Sequence, residues 1–139
     1  MQKPREKLRK SAGDGRMMPI VRNILFTKPI KQNKLANTYT RIYLHLVFAV
    51  KNRNSLIPAY HQPRLFRYIG GTISTLGHKP LEVGGIDNHV HILVGLNVKQ
   101  SVADFVRDIK SATARFINDS RIIPYRFEWQ SGYGCFSYS

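Results

Sequence analysis

From Arg41 to Val50 (RIYLHLVFAV) the chain is almost continuously apolar and rich in β-formers, and the polar Lys51-Asn52-Arg53-Asn54 closes it off. This predicts a central strand. Pro63 suits the first turn of a helix, and Phe66, Ile69, Ile73 and Leu76 follow at helical spacing until Gly77 stops them, predicting a helix over about 62–76. Gly70-Gly71 inside it costs roughly 1 kcal/mol per glycine relative to alanine. Pro80 to Gly85 (PLEVGG) reads as a short strand, and Asp87-Asn88 turns the chain into His89 to Leu96 (HVHILVGL), a hairpin partner. Ser101 is a good N-cap, with Asp104 three residues on. Val102, Phe105, Val106, Ile109, Phe116 and Ile117 then form one apolar stripe, predicting a second helix over about 101–118. Phe127 to Ser139 (FEWQSGYGCFSYS) is aromatic and β-prone, with Gly132 and Gly134 suggesting a bulge or close backbone approach, and reads as a last, irregular strand.

The order β-α-β-β-α-β predicts an α+β, ferredoxin-like (split βαβ, RRM-like) domain, an antiparallel sheet with two helices on one face and the other face free. With 139 residues, 42% of them hydrophobic, one core is expected. Residues 1–37 stand apart. They carry ten Lys or Arg against Glu6 and Asp14, a net +8 without sustained periodicity. Such a run reads as a solvated, disordered arm, with a structured nucleic-acid contact as the alternative, and Met17-Met18 allow a later start of translation.

Charge selects the partner class. Twenty-two Lys plus Arg against eight Asp plus Glu give a formal +14 and a pI near 10.4, which favours polyanions through the protein's field and counterion release. Nucleic acid leads; no stretch approaches the ~20 apolar residues needed to span a bilayer, so no membrane partner is expected. The single Cys135 rules out an intrachain disulfide framework and a cysteine-based zinc site, and the apolar pieces near the N-terminus are too short for a secretory core, so a cytoplasmic protein is the expectation.

Alternate side chains of a strand point to opposite faces. His89, His91 and Leu93 therefore share one side, and Val90, Ile92 and Val94 the other. With the aliphatic three facing the helices, the two imidazoles stand side by side on the other face, about 6 to 7 Å apart along the strand, within reach of one metal ion. Oxygen or amide ligands and water would complete a site of the Mg²⁺ or Mn²⁺ type. An H-x-H alone is weak evidence, and two tolerated polar residues are the bland alternative. Basic residues from the loop after the first strand (Lys51, Arg53) and from the second helix (Arg107, Lys110, Arg115) are expected to frame this face for a phosphate backbone, a solvated helix surface being the alternative for each.

Four segments, LHLVFAVKNRNSLI (44–57), YIGGTISTLGHKPLEVGGIDNHVHILVGL (68–96), SVADFVRDIKSATARFI (101–117) and FEWQSGYGCFS (127–137), resemble consecutive pieces of the IS200-like, or Y1, transposases. These belong to the HUH nucleases, named for two histidines around a hydrophobic residue. The resemblance covers roughly residues 38–139. It implies an HUH motif on His89, Val90 and His91, a divalent metal that polarises the scissile phosphate of single-stranded DNA, and a tyrosine that forms a 5'-phosphotyrosine link for later rejoining. It also implies homodimers and hairpin-bearing DNA ends. In the family a further helix bears the nucleophilic Tyr and, four residues later, a Gln ligand; both are expected beyond Ser139. Tyr133 and Tyr138 match neither position and read as strand aromatics. This chain alone is therefore expected to be inactive, bound to DNA without cleaving it or completed by a partner chain. Asn88 stands where the family usually has Asp.

Two rival functions lack the motifs they need. An RRM-like, non-catalytic RNA- or single-strand-binding module would place aromatics on the central strands in an RNP1-like pattern, and none occurs. A two-histidine phosphoesterase needs paired H-x-T motifs, and the chain has neither H-x-T nor H-x-S.

Overall fold

The computed structural model describes residues 39–139. The basic arm expected over residues 1–37 lies outside the described residues.

Strand β1 (Ile42–Ala49) leads through two short 3-10 turns into helix α1 (Gln62–Thr75). Pro63 sits in its first turn, and Gly77 ends it at φ +87°, letting His78 N donate to Ile73 O at 3.1 Å. Strands β2 (Lys79–Gly85) and β3 (His89–Leu96) form the expected hairpin. Helix α2 (Val102–Asp119) begins where Ser101 Oγ accepts from Asp104 N at 3.1 Å. It ends at Arg121, which takes the left-handed conformation (φ 51°) so that Ile122 N reaches Ile117 O. Strand β4 (Gly134–Tyr138) completes an antiparallel sheet in the order β2-β3-β1-β4. This is the ferredoxin-like arrangement expected from the sequence.

The core lies between the sheet and both helices. Leu44, Leu46 and Phe48 of β1 and Val90, Ile92 and Val94 of β3 pack with Leu65, Phe66, Ile69 and Ile73 of α1 and Phe105, Val106, Ile109 and Ile117 of α2. The strand residues between them therefore face away from the helices: Tyr43, His45 and Val47 on β1, and His89, His91 and Leu93 on β3.

Two expectations need correcting. The segment from Phe127 is not one strand. Only Gly134–Tyr138 joins the sheet, with an isolated bridge between Val50 and Trp129 before it. Gly132 at φ +85° breaks the extended run, and backbone groups of Phe127, Glu128, Gln130 and Gly132 find partners on α2, at Ser55 and at the end of β1 instead. Nor is the second face of the sheet bare throughout. At the end away from His89, Leu81 and Leu93 are buried and pack with Tyr43 and Tyr138, where a bulge between Pro80 and Glu82 shifts the register of β2.

Candidate functional site

The β2–β3 turn aims the histidines. Ile86 N donates to His89 O at 3.0 Å, closing a tight hairpin over Asp87-Asn88. The turn is also tied to the chain after β1, because Asp87 O accepts from Ile57 N and Asn88 O from Val50 N. Gly85 runs against the turn at φ +153°, in a place where a Cβ would overlap His89 O.

His89 and His91 share the face away from the helices, as their alternation requires. Their rings meet edge to face with centroids 4.7 Å apart. Each uses Nδ1 for a partner: His89 Nδ1 lies 2.7 Å from Asn88 Oδ1, and His91 Nδ1 lies 3.0 Å from His45 Nε2. Asn88 thus makes the contact that a carboxylate would make at this position, without the charge. Ala49 stands across β1 from His89 and Val47 from His91, while Gly84 stands across β2 from His91, so the neighbouring side chains are short. Phe136 on β4 lies across from His45 and is 59% exposed.

His45 is the residue that sequence reasoning missed. Its ring stacks on His91 with centroids 5.2 Å apart, and burial lowers its pKa from the ordinary histidine value, favouring the neutral imidazole. The signal was present: His45 occupies an odd position of β1, in phase with Tyr43 and Val47. A fully buried imidazole, His78, has a structural task. It bonds Gln100 Oε1 at 2.7 Å and Asn97 N at 2.9 Å, anchoring the loop after β3 against Phe105.

The five basic residues singled out from the sequence divide into two groups. Lys51 and Arg53 follow β1 at the end of the sheet where His89 begins β3, and both are exposed. Lys51 pairs with Glu128 at 3.1 Å, both half exposed, a contact worth at most ~1 kcal/mol. Arg107, Lys110 and Arg115 do not frame the histidine face. They belong to α2, which packs on the other side of the sheet. Arg107 is balanced within its helix by Asp104 and Asp108.

Lys110 holds structure together. Its Nζ donates to Gln130 O at 2.7 Å and Gly132 O at 2.9 Å and lies 5.7 Å from the centroid of the Phe48 ring, and desolvation lowers its pKa. Lys110→Met is therefore expected to destabilise the domain by about 1–3 kcal/mol, the usual loss for charged hydrogen bonds whose acceptors lose their donor. Thermal unfolding of the variant checks this, and an unchanged midpoint would show the ammonium to be idle.

Two neighbouring imidazoles on the helix-free face of a ferredoxin-like sheet, with Lys51 and Arg53 at the same end, make a candidate site, and the comparisons place the chain in a family. The model of the family described as "Transposase IS200 like" matches residues 38–139, and the protein belongs to that family of transposases. Its fold is shared with a crystal structure of a Deinococcus radiodurans R1 protein described as a transposase, at a TM-score of 0.68 and 20% identity over 77% of this chain and 86% of that one. It is shared too with a REP-associated tyrosine transposase bound to a REP hairpin, at 0.53 and 13% identity. There the match covers 77% of this chain but 62% of the other, less than two thirds of its length. At these identities the likeness is one of fold. No curated protein matches the sequence. Among the described residues no helix is long and apolar enough to cross a membrane.

Proposed function

We propose that residues 39–139 form the metal-binding and single-stranded-DNA-binding body of a cytoplasmic, homodimeric transposase that acts on hairpin-bearing DNA ends. The observation that carries this is the pair His89–His91: two neighbouring rings on the helix-free face, each engaged at Nδ1, so that Nε2 is the nitrogen each would turn to a cation. Among the described residues no group of three or more His, Cys, Asp or Glu side chains is placed to hold a metal. The pair fits a site of the Mg²⁺ or Mn²⁺ type in which water, a phosphate oxygen and an amide ligand from outside residues 39–139 supply the rest. When bound, such an ion would polarise a scissile phosphate and offset its negative charge.

The chain's own residues supply orientation and approach. The hairpin fixes the backbone of His89, and Asn88 orients its ring. Short neighbours leave room beside the rings, and Lys51 and Arg53 offer cations at the same end of the sheet. Arg107 and Arg115 would meet DNA on the helical layer, away from the imidazoles.

The tyrosines of the last strand do not suit the nucleophile's role. Tyr138 pairs with Tyr43, four residues along the ladder from the Val47–His91 level, on the order of 13 Å away. Tyr133, just before β4, lies near the Val47–His91 level but on the far side of β1, two strand spacings or on the order of 10 Å from β3. Neither tyrosine is therefore assigned the attack, and no glutamine ligand is assigned among residues 39–139. A bound single strand also has Phe136 on which to stack a base, which favours a second reading, a binding-only module.

Calorimetry separates the two readings. The purified protein is expected to bind Mn²⁺, and the double change His89→Ala, His91→Ala to abolish binding; indifference to that change would leave the binding module. Hairpin-bearing single-stranded DNA is expected to bind with a steep salt dependence, without a covalent adduct. Lys51→Ala and Arg53→Ala should each lower the salt slope by about one phosphate contact. An adduct mapped to Tyr133 or Tyr138 would overturn the placement of the nucleophile.

A further inference from the structure

We propose that His45 is a positioning residue: it accepts the Nδ1 proton of His91 and so fixes the tautomer in which His91 offers Nε2 to a cation. This rests on the metal-site reading above and adds to it a third imidazole, from a different strand and 46 residues away in sequence.

The contact between His45 Nε2 and His91 Nδ1, at 3.0 Å, has room for one proton. Were His45 the donor, the neutral His91 ring would carry its own proton on Nε2, and that nitrogen would have no lone pair for a metal. With His91 as donor, His45 holds its proton on Nδ1 and the lone pair of His91 lies on Nε2. Only the second arrangement makes His91 a ligand through the nitrogen not engaged with His45. The other half of the motif has the same polarity. Asn88 Oδ1, an amide oxygen that can only accept, takes the Nδ1 proton of His89 at 2.7 Å. Two acceptors, one from the hairpin turn and one from the neighbouring strand, thus set both rings of the H-x-H alike.

The sheet register keeps His45 in place. It stands directly across from Leu93 on one side and from Phe136 on the other, and the Phe136 ring lies 6.3 Å from its own, tilted by 51°. The His91 ring is one rung away and stacks at 24°, so the hydrogen bond is diagonal across β1 and β3. A side chain there has its direction set by the pleat before any ion arrives.

The test has two independent arms, both on the full chain. Long-range ¹H–¹⁵N NMR of ¹⁵N-histidine protein without metal reads the tautomers directly. The proton of His91 is expected on Nδ1, and a proton on Nε2 overturns the inference. Mn²⁺ titration then compares wild type with His45→Phe, which keeps a stacking ring but accepts nothing, and His45→Gln, which keeps an acceptor. Thermal unfolding certifies that each is folded. His45→Phe is expected to weaken Mn²⁺ binding by about 10–100-fold and His45→Gln to regain most of it. Equal affinities in all three overturn the role of His45 while leaving the histidine pair as the site. If wild type itself binds no Mn²⁺, the metal reading fails, and the NMR arm alone decides the tautomer.

Discussion

Gly85→Ala is expected to destabilise the domain by ~3 kcal/mol or more and to spoil the histidine site at the same time. A Cβ at this position would overlap His89 O and stand 2.9 Å from Val90 Cα. Both are backbone atoms, so no side chain can swing aside to relieve the clash. The hairpin must open, and His89 is its first ladder residue. Gly132→Ala is the control: its φ of +85° is equally unsuited to alanine, but nothing lies within 4 Å of the added carbon. That change should cost only the left-handed strain, about 1–2 kcal/mol. Denaturant unfolding of the two variants tests the contrast, and equal losses would show that steric overlap at Gly85 is relieved elsewhere.

Phe127→Ala should cost about 3–5 kcal/mol, the usual range for emptying a buried phenylalanine site. Phe127 is 1% exposed, meets Trp129 edge to face at 4.8 Å, and belongs to the main core although no regular element carries it. Its backbone is held at both ends by one side chain: Asn118 Oδ1 accepts from Phe127 N at 2.7 Å, and Asn118 Nδ2 donates to Phe127 O at 3.2 Å. Asn118→Ala breaks the clasp without opening a cavity and should cost less, about 1–3 kcal/mol. If chemical denaturation ranks the two variants the other way, the segment after α2 is secured by its polar contacts and not by the ring.

Most of the fold was readable because its signals are local. Strand β3 has the bounds its alternation predicted, and α2 its stripe and cap, since both patterns repeat within a few residues. The last segment is not legible in this way, because β-prone aromatics do not reveal whether a ring enters a sheet or plugs a core. Phe127 and Trp129 plug the core. His45 was hidden for a related reason: within YLHLVFAV it reads as one polar interruption of a buried run, and only the β1–β3 register brings it to His91. Pairing across 46 residues leaves no trace in local periodicity. The basic residues of α2 lie off the apolar stripe, but a stripe tells which side of a helix meets the sheet, not which side of the sheet the helix covers. Lys110 shows the limit best, since a lysine with its ammonium on two carbonyls looks in sequence like any solvated charge.

Along α2, Lys110, Thr113 and Asn118 each grip the stretch that leads into β4, Thr113 through Trp129 Nε1 at 2.9 Å. The outer strand therefore hangs from a helix by polar clasps as well as lying alongside β1. Force applied through the stretch before that strand would load those clasps ahead of the β1–β4 ladder. Amide exchange at Phe127, whose N–H is held by Asn118, should accordingly follow the fraying of α2, whereas Gln130, whose N–H donates to Ala49 O at 2.8 Å, should follow the opening of β1.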